Sequence, residues 1–132
     1  MNTTSHRILL VDDDEALRTA LRRALERDGH QVVEACDGRD ALLQLDRQPV
    51  DLVITDLIMP ESEGVELTFS LQKRSPKLPV VAMSGGGSWA PELYLSIAKT
   101  AGAADVFVKP FPIGDLLTRV RSLLANSGSS QA

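Results

Sequence analysis

Asp51-Leu52-Val53-Ile54-Thr55-Asp56, followed directly by Leu57-Ile58-Met59-Pro60, reads as a short strand buried on both faces that delivers a carboxylate to its far end. Working outward, three more Val/Ile/Leu runs end in polar groups. Residues 7–11 run into Asp12-Asp13-Asp14, residues 79–83 into Ser84, and residues 105–108 into Lys109. Gln31 to Ala35 is shorter and mixed, as an edge strand is. Carboxylates, a hydroxyl and an ammonium at the same end of successive strands form a site suited to a divalent cation and a phosphoryl group.

Helical spacing fills the intervals. Leu17, Ala20, Leu21, Ala24 and Leu25 form one apolar stripe on a helix that Asp13 or Asp14 caps and Gly29 stops. Arg18, Arg22, Arg23 and Arg27 fall mostly outside that stripe and read as a solvated face. Ala41, Leu42 and Leu45 repeat the pattern before Pro49, and Val65, Leu67, Phe69 and Leu71 continue it before Pro76. A fourth helix is expected over 90–101. Pro112 suits the first turn of the fifth, where Leu116, Leu117, Val120, Leu123 and Leu124 recur at steps of three and four. Five strands alternating with five helices predict an α/β fold with a parallel sheet, helices on both faces and ligands at the carboxyl ends of the strands.

The chain has 132 residues, enough for one domain, with 43% apolar and 24% charged residues, which argues against disorder. Net charge is -4 and no basic face is visible, so no nucleic-acid contact by this chain alone is expected. Cys36 is the only cysteine; it cannot form an intramolecular disulfide and is expected to be buried. Met1 to Ser5 lacks the features of a signal peptide and no apolar run approaches the ~18 residues that span a bilayer, so no membrane contact and a cytoplasmic location are expected. Residues 1–6 read as an extension, 7–124 as the domain, and 125–132 as a flexible tail or the start of a linker. His6 and His30 lack companions at metal-ligand spacing and are expected at the surface.

The chemistry of the strand-end set is specific. Magnesium takes carboxylate oxygens with water and phosphate oxygens, and Asp12, Asp13 and Asp56 supply such a set, with manganese as a substitute. A carboxylate is also a nucleophile toward phosphorus, the metal offsetting repulsion between the two anions. Lys109 can hold a phosphoryl oxygen as a point charge while Ser84 donates to another.

Taken in order, Val11-Asp12-Asp13, Thr55-Asp56-Leu57-Ile58-Met59-Pro60, Ser84-Gly85 and Lys109-Pro110-Phe111 resemble the signature of response-regulator receiver domains, over residues 7 to 124. The resemblance extends to the single-domain, chemotaxis-regulator-like type. It implies a flavodoxin-like sheet of order 2-1-3-4-5 and a phosphorylation-dependent switch in a two-component or phosphorelay system. Asp56 would be the phosphoacceptor. Asp13 would bind Mg2+ directly, Asp12 directly or through water, and the backbone carbonyl of Ile58 would be a further ligand. Ser84 would be the switch hydroxyl, Phe107 the switch aromatic, and Lys109 the phosphoryl contact, with a cis bond into Pro110. Movement of Ser84 toward the phosphoryl group would make room for Phe107 and repack the face of the fourth helix, fifth strand and fifth helix.

The implied partners are a histidine kinase or histidine phosphotransfer protein as donor and an unknown downstream protein, with the chain a monomer or a weak phosphorylation-dependent dimer. A stand-alone receiver is expected from Met1 and the short tail; a receiver excised from a larger regulator or hybrid kinase is the alternative. Output would be binding, not turnover. Two departures stand out. The stretch Gly85 to Pro91 is longer than usual for the family, and is expected to close over the phosphoryl group with the Gly85 amide as a donor or to form a longer surface turn. Trp89 within it is expected to pack against its own helix. Ile58 and Gly86 occupy positions that in the family help to orient water, which predicts slow self-dephosphorylation.

Two rivals come from other classes. A metal-dependent phosphatase or phosphotransferase of small molecules would need a second acid/base carboxylate beside Asp56. A flavin-binding module would favour a Ser/Thr/Gly-rich loop where this chain has Asp12-Asp13-Asp14.

Overall fold

The computed structural model describes residues 6–57, 63–84 and 91–129. Elements alternate strictly: β1 (Arg7–Val11), α1 (Glu15–Arg27), β2 (Gln31–Ala35), α2 (Gly38–Arg47), β3 (Leu52–Asp56), α3 (Glu63–Arg74), β4 (Val80–Ser84), α4 (Pro91–Ala101), β5 (Asp105–Val108) and α5 (Ile113–Ser129). All strand pairs are parallel, in the order β2-β1-β3-β4-β5. The alternation and the parallel sheet are those that the strand and helix periodicities predict, and the strand order is the flavodoxin-like one that the family resemblance implies.

Strand side chains alternate between faces, so each central strand feeds two cores. Ile8, Leu10, Leu52, Ile54, Val81 and Met83 pack with Leu21 and Leu25 of α1 and with Leu116, Val120 and Leu124 of α5. On the opposite face Leu9, Val11, Val53 and Val80 meet Ala41 of α2 and Leu67 and Leu71 of α3. Farther along that face, Leu57 and Ala82 pack with Ala98 of α4.

Local signals set the helix ends. Asp14, not Asp13, caps α1: its side chain accepts from the Leu17 amide at 3.2 Å. Gly29 follows α1 with φ of 97°, a conformation that costs glycine nothing. Asp37 caps α2 by accepting from the Asp40 amide at 2.8 Å.

Several expectations are corrected. Cys36 is exposed, because it follows the last residue of β2, where the chain leaves the sheet for the Asp37 cap. Phe69 is also exposed, since two residues along a helix turn it about 200° away from the stripe of Leu67 and Leu71. Helix α5 runs on to Ser129 where a loose tail from Ala125 is expected; no proline interrupts it, and each added residue gains a backbone bond once the helix exists. Pro112 precedes that helix rather than opening it, its carbonyl accepting from the Asp115 amide at 3.1 Å. His30 is half-buried, with its two ring nitrogens enclosed and without hydrogen-bond partners among the described residues. Its ring lies 6.0 Å from that of His6.

Candidate functional site

The register of the sheet brings the polar strand ends together. Asp56 is the last residue of β3 and lies opposite Met83 of β4, which lies opposite Phe107 of β5. Val11 lies opposite Thr55, so Asp12 leaves β1 at the level of Asp56. Ser84 ends β4, and its carbonyl accepts from the Lys109 amide at 2.7 Å, which fixes the start of the segment after β5. The peptide bond from Lys109 to Pro110 is cis, as the family resemblance implies.

One ammonium bridges the two buried carboxylates. Lys109 Nζ donates to Asp12 Oδ2 and to Asp56 Oδ2, each at 3.0 Å. Burial by itself would push the Lys109 pKa down, but the Asp56 charge and the hydrogen bonds to Asp12 and Asp56 outweigh it and hold the ammonium charged. Asp13 adds a third, exposed carboxylate, and Asp12, Asp13 and Asp56 each offer an oxygen within 4.8 Å of the others. Three hard oxygen donors on one side, open to solvent through Asp13, match the needs of a divalent cation that keeps several waters. The residues therefore fit Mg2+.

The rest of the expected set divides clearly. Ser84 Oγ is buried beside this cluster's strand ends with no hydrogen-bond partner among the described residues, so it has a donor to give. Phe107 is half-buried against the core formed by α1 and α5, with its ring centroid 5.4 Å from that of Phe111. Ile58, Gly85, Gly86 and Trp89, and with them the carbonyl ligand, the amide donor and the loop closure, lie outside the described residues.

A second tier of contacts supports Asp12 and was not read from the sequence. Asp12 Oδ1 accepts from the Asp14 amide at 2.9 Å, and the Asp12 amide donates to the Ala35 carbonyl at 3.2 Å. Arg18, expected on a solvated face, instead reaches back: Nη1 donates to the Asp12 carbonyl at 2.6 Å and Nε to Glu34 Oε1 at 2.7 Å. Arg22 joins through Glu34 Oε2 at 2.5 Å. Burial would raise the Glu34 pKa, yet the hydrogen bonds from Arg18 and Arg22 hold it below the usual carboxylate range. The available signal was Glu34 itself, the one charged residue in β2, which needs a cationic partner when half-buried.

The family model for the response regulator receiver domain matches residues 8–121. The chain is 38% identical over 118 residues to the response regulator MprA of Mycolicibacterium vanbaalenii, covering 89% of this chain and 50% of that one. To MprA of Mycobacterium leprae it is 36% identical over 126 residues, covering 96% and 54%. The chain thus spans about half the length of the curated relatives it matches. Among solved structures, a CheY-like receiver domain protein from Methanospirillum hungatei matches with a TM-score of 0.86 at 27% identity, over 96% of this chain and 99% of that one. NtrX from Brucella abortus matches with a TM-score of 0.87 at 29% identity, over 97% of this chain and 28% of that one.

Proposed function

Because the chain belongs to the response-regulator receiver family, a group of phosphoacceptor signalling modules, we infer that Asp56 accepts a phosphoryl group from the phosphohistidine of a kinase or phosphotransfer protein. The observation that carries this reading is the shared ammonium: Lys109 holds Asp12 and Asp56 side by side at 3.0 Å each, at the mouth of the sheet. A carboxylate oxygen of Asp56 forms the P–O bond as the P–N bond to the donor imidazole breaks, and the imidazole leaves with the electron pair. Bound Mg2+, held by Asp12, Asp13 and Asp56 with the Ile58 carbonyl, would neutralise charge on the transferring group. Lys109 contacts one phosphoryl oxygen and Ser84 Oγ donates to another.

Output follows from packing. The Ser84 hydroxyl is buried with no partner among the described residues, and Phe107 stands one residue from the Ser84–Val108 pair, so movement of Ser84 toward a phosphoryl group changes the space beside the ring. The face of α4, β5 and α5 would then present a different surface to a downstream protein. The MprA regulators extend well beyond the matched stretch, whereas the Methanospirillum receiver is matched over nearly its whole length. A switch carried by the domain's own face serves a stand-alone receiver and one linked to an output module equally. Ile58 and Gly86 offer no polar side chain to orient water, so the phosphate should persist; a lifetime of seconds for the purified phosphoprotein with Mg2+ would contradict that.

Intact-mass measurement after incubation with acetyl phosphate and Mg2+ tests the reading. The wild type should gain one phosphoryl group and Asp56→Asn none; an equal gain in both would refute it.

A further inference from the structure

We propose that Arg18 is a positioning residue for the Asp12–Asp13 peptide, and that through it the edge strand β2 sets the affinity of the acidic cluster for Mg2+; the inference rests on the metal reading above. Both ends of the Asp12 backbone are tied to β2. The Asp12 amide donates directly to the Ala35 carbonyl at 3.2 Å. Its carbonyl accepts at 2.6 Å from Arg18 Nη1, and the same guanidinium is held at 2.7 Å by Glu34, the residue before Ala35. Arg18 is itself set in the first turn of α1, its amide donating to the Asp14 carbonyl at 3.0 Å.

The consequence falls on Asp13. Asp12 is fully buried and its side chain is fixed by Lys109 and the Asp14 amide, but Asp13 is exposed and takes its place from the peptide that joins it to Asp12. Fixing the carbonyl of that peptide fixes the plane from which Asp13 departs. A planar guanidinium with donors in a rigid fork can hold a carbonyl and a carboxylate at once; an ammonium on a flexible stem does this poorly. Contacts of this kind around metal ligands typically alter affinity by about 10–100-fold.

The sign of the effect separates positioning from charge. A cation near the site repels Mg2+, so if Arg18 acted only by Coulomb's law its removal would tighten binding. Positioning predicts the reverse. Calorimetric titration of the full chain with Mg2+ alone should give a dissociation constant about tenfold weaker for Arg18→Met and about threefold weaker for Arg18→Lys. Arg23→Met, which removes a like charge from an exposed position on the same helix, should stay within about twofold of the wild type. Arg18→Lys keeps the test informative should Arg18→Met not fold. A lowered melting temperature with unchanged or tighter Mg2+ binding in the folded variants would overturn the inference while leaving the metal site standing. Absence of Mg2+ binding by the wild type would overturn both.

Discussion

The two ends of the sheet handle charge in opposite ways. At the amino ends of the strands, charges are answered locally. The Arg7 amide donates to Asp51 at 2.8 Å, its guanidinium to the Pro49 carbonyl at 3.0 Å, and Arg121 grips Asp28 through two bonds of 2.7 and 3.1 Å. At the carboxyl ends, three carboxylates cluster, two of them sharing one ammonium, and a buried hydroxyl has no partner among the described residues. Negative charge and a spare donor gathered where helices begin and strands end mark a place held ready for a cation and an anion together. Among the described residues the amino end gathers no such cluster of carboxylates, and its ion pairs read as support for the fold.

Breaking the ammonium should have the largest effect. Lys109→Met leaves Asp12 and Asp56 buried together without a cation, which we expect to cost about 3 kcal/mol in metal-free buffer. It should also slow phosphoryl transfer from acetyl phosphate by roughly 100-fold, as loss of one donor to a transferring group does. Chemical denaturation and intact-mass kinetics would show both, and a variant as stable and as reactive as the wild type would erase the distinction between the ends.

Metal comes next. A hundredfold excess of Mg2+ over its dissociation constant should stabilise the wild type by about 2.7 kcal/mol, a melting shift on the order of 8 °C for a domain of this size. Chelation should reverse it. Asp13→Asn should lose most of the shift and Arg7→Met, at the other end of the sheet, none of it; equal loss in both would make the stabilisation unspecific.

The smallest effect sharpens the amino end. Burial lowers the His30 pKa against the opposing pull of Asp28, with His6 and Arg121 reinforcing the decrease. A depressed value means that the unfolded chain takes up the proton first. Stability is therefore fully present above the ordinary imidazole value of about 6.5 and declines as pH falls below it. His30→Phe should flatten that part of the melting-temperature profile without changing Mg2+ affinity. A profile as steep as that of the wild type would remove His30 as its source.

Much of this contrast was legible in the residues. Asp12, Asp56, Ser84 and Lys109 could be found because each closes an apolar run, and a parallel sheet turns that shared position into proximity. The capping role of Asp14 and the glycine after α1 were equally local. Arg18 was not legible, because its partners are a backbone carbonyl and a glutamate on a neighbouring strand, and helical periodicity says only that it lies off the apolar stripe. Phe69 misled for a related reason: apolar residues two apart suit a strand, and on a helix they face apart. His30 reads as a surface residue in the sequence because nothing there reveals that its ring nitrogens are enclosed and that its ring lies beside that of His6.

The central claim is that the convergence at the carboxyl ends makes Asp56 the phosphoacceptor. Borohydride reduces an aspartyl phosphate to homoserine, so peptide mapping of the protein treated with acetyl phosphate and Mg2+ reads the modified position directly. The account predicts homoserine in place of Asp56 and at neither Asp12 nor Asp13; conversion elsewhere, or none with Mg2+ bound, would contradict it.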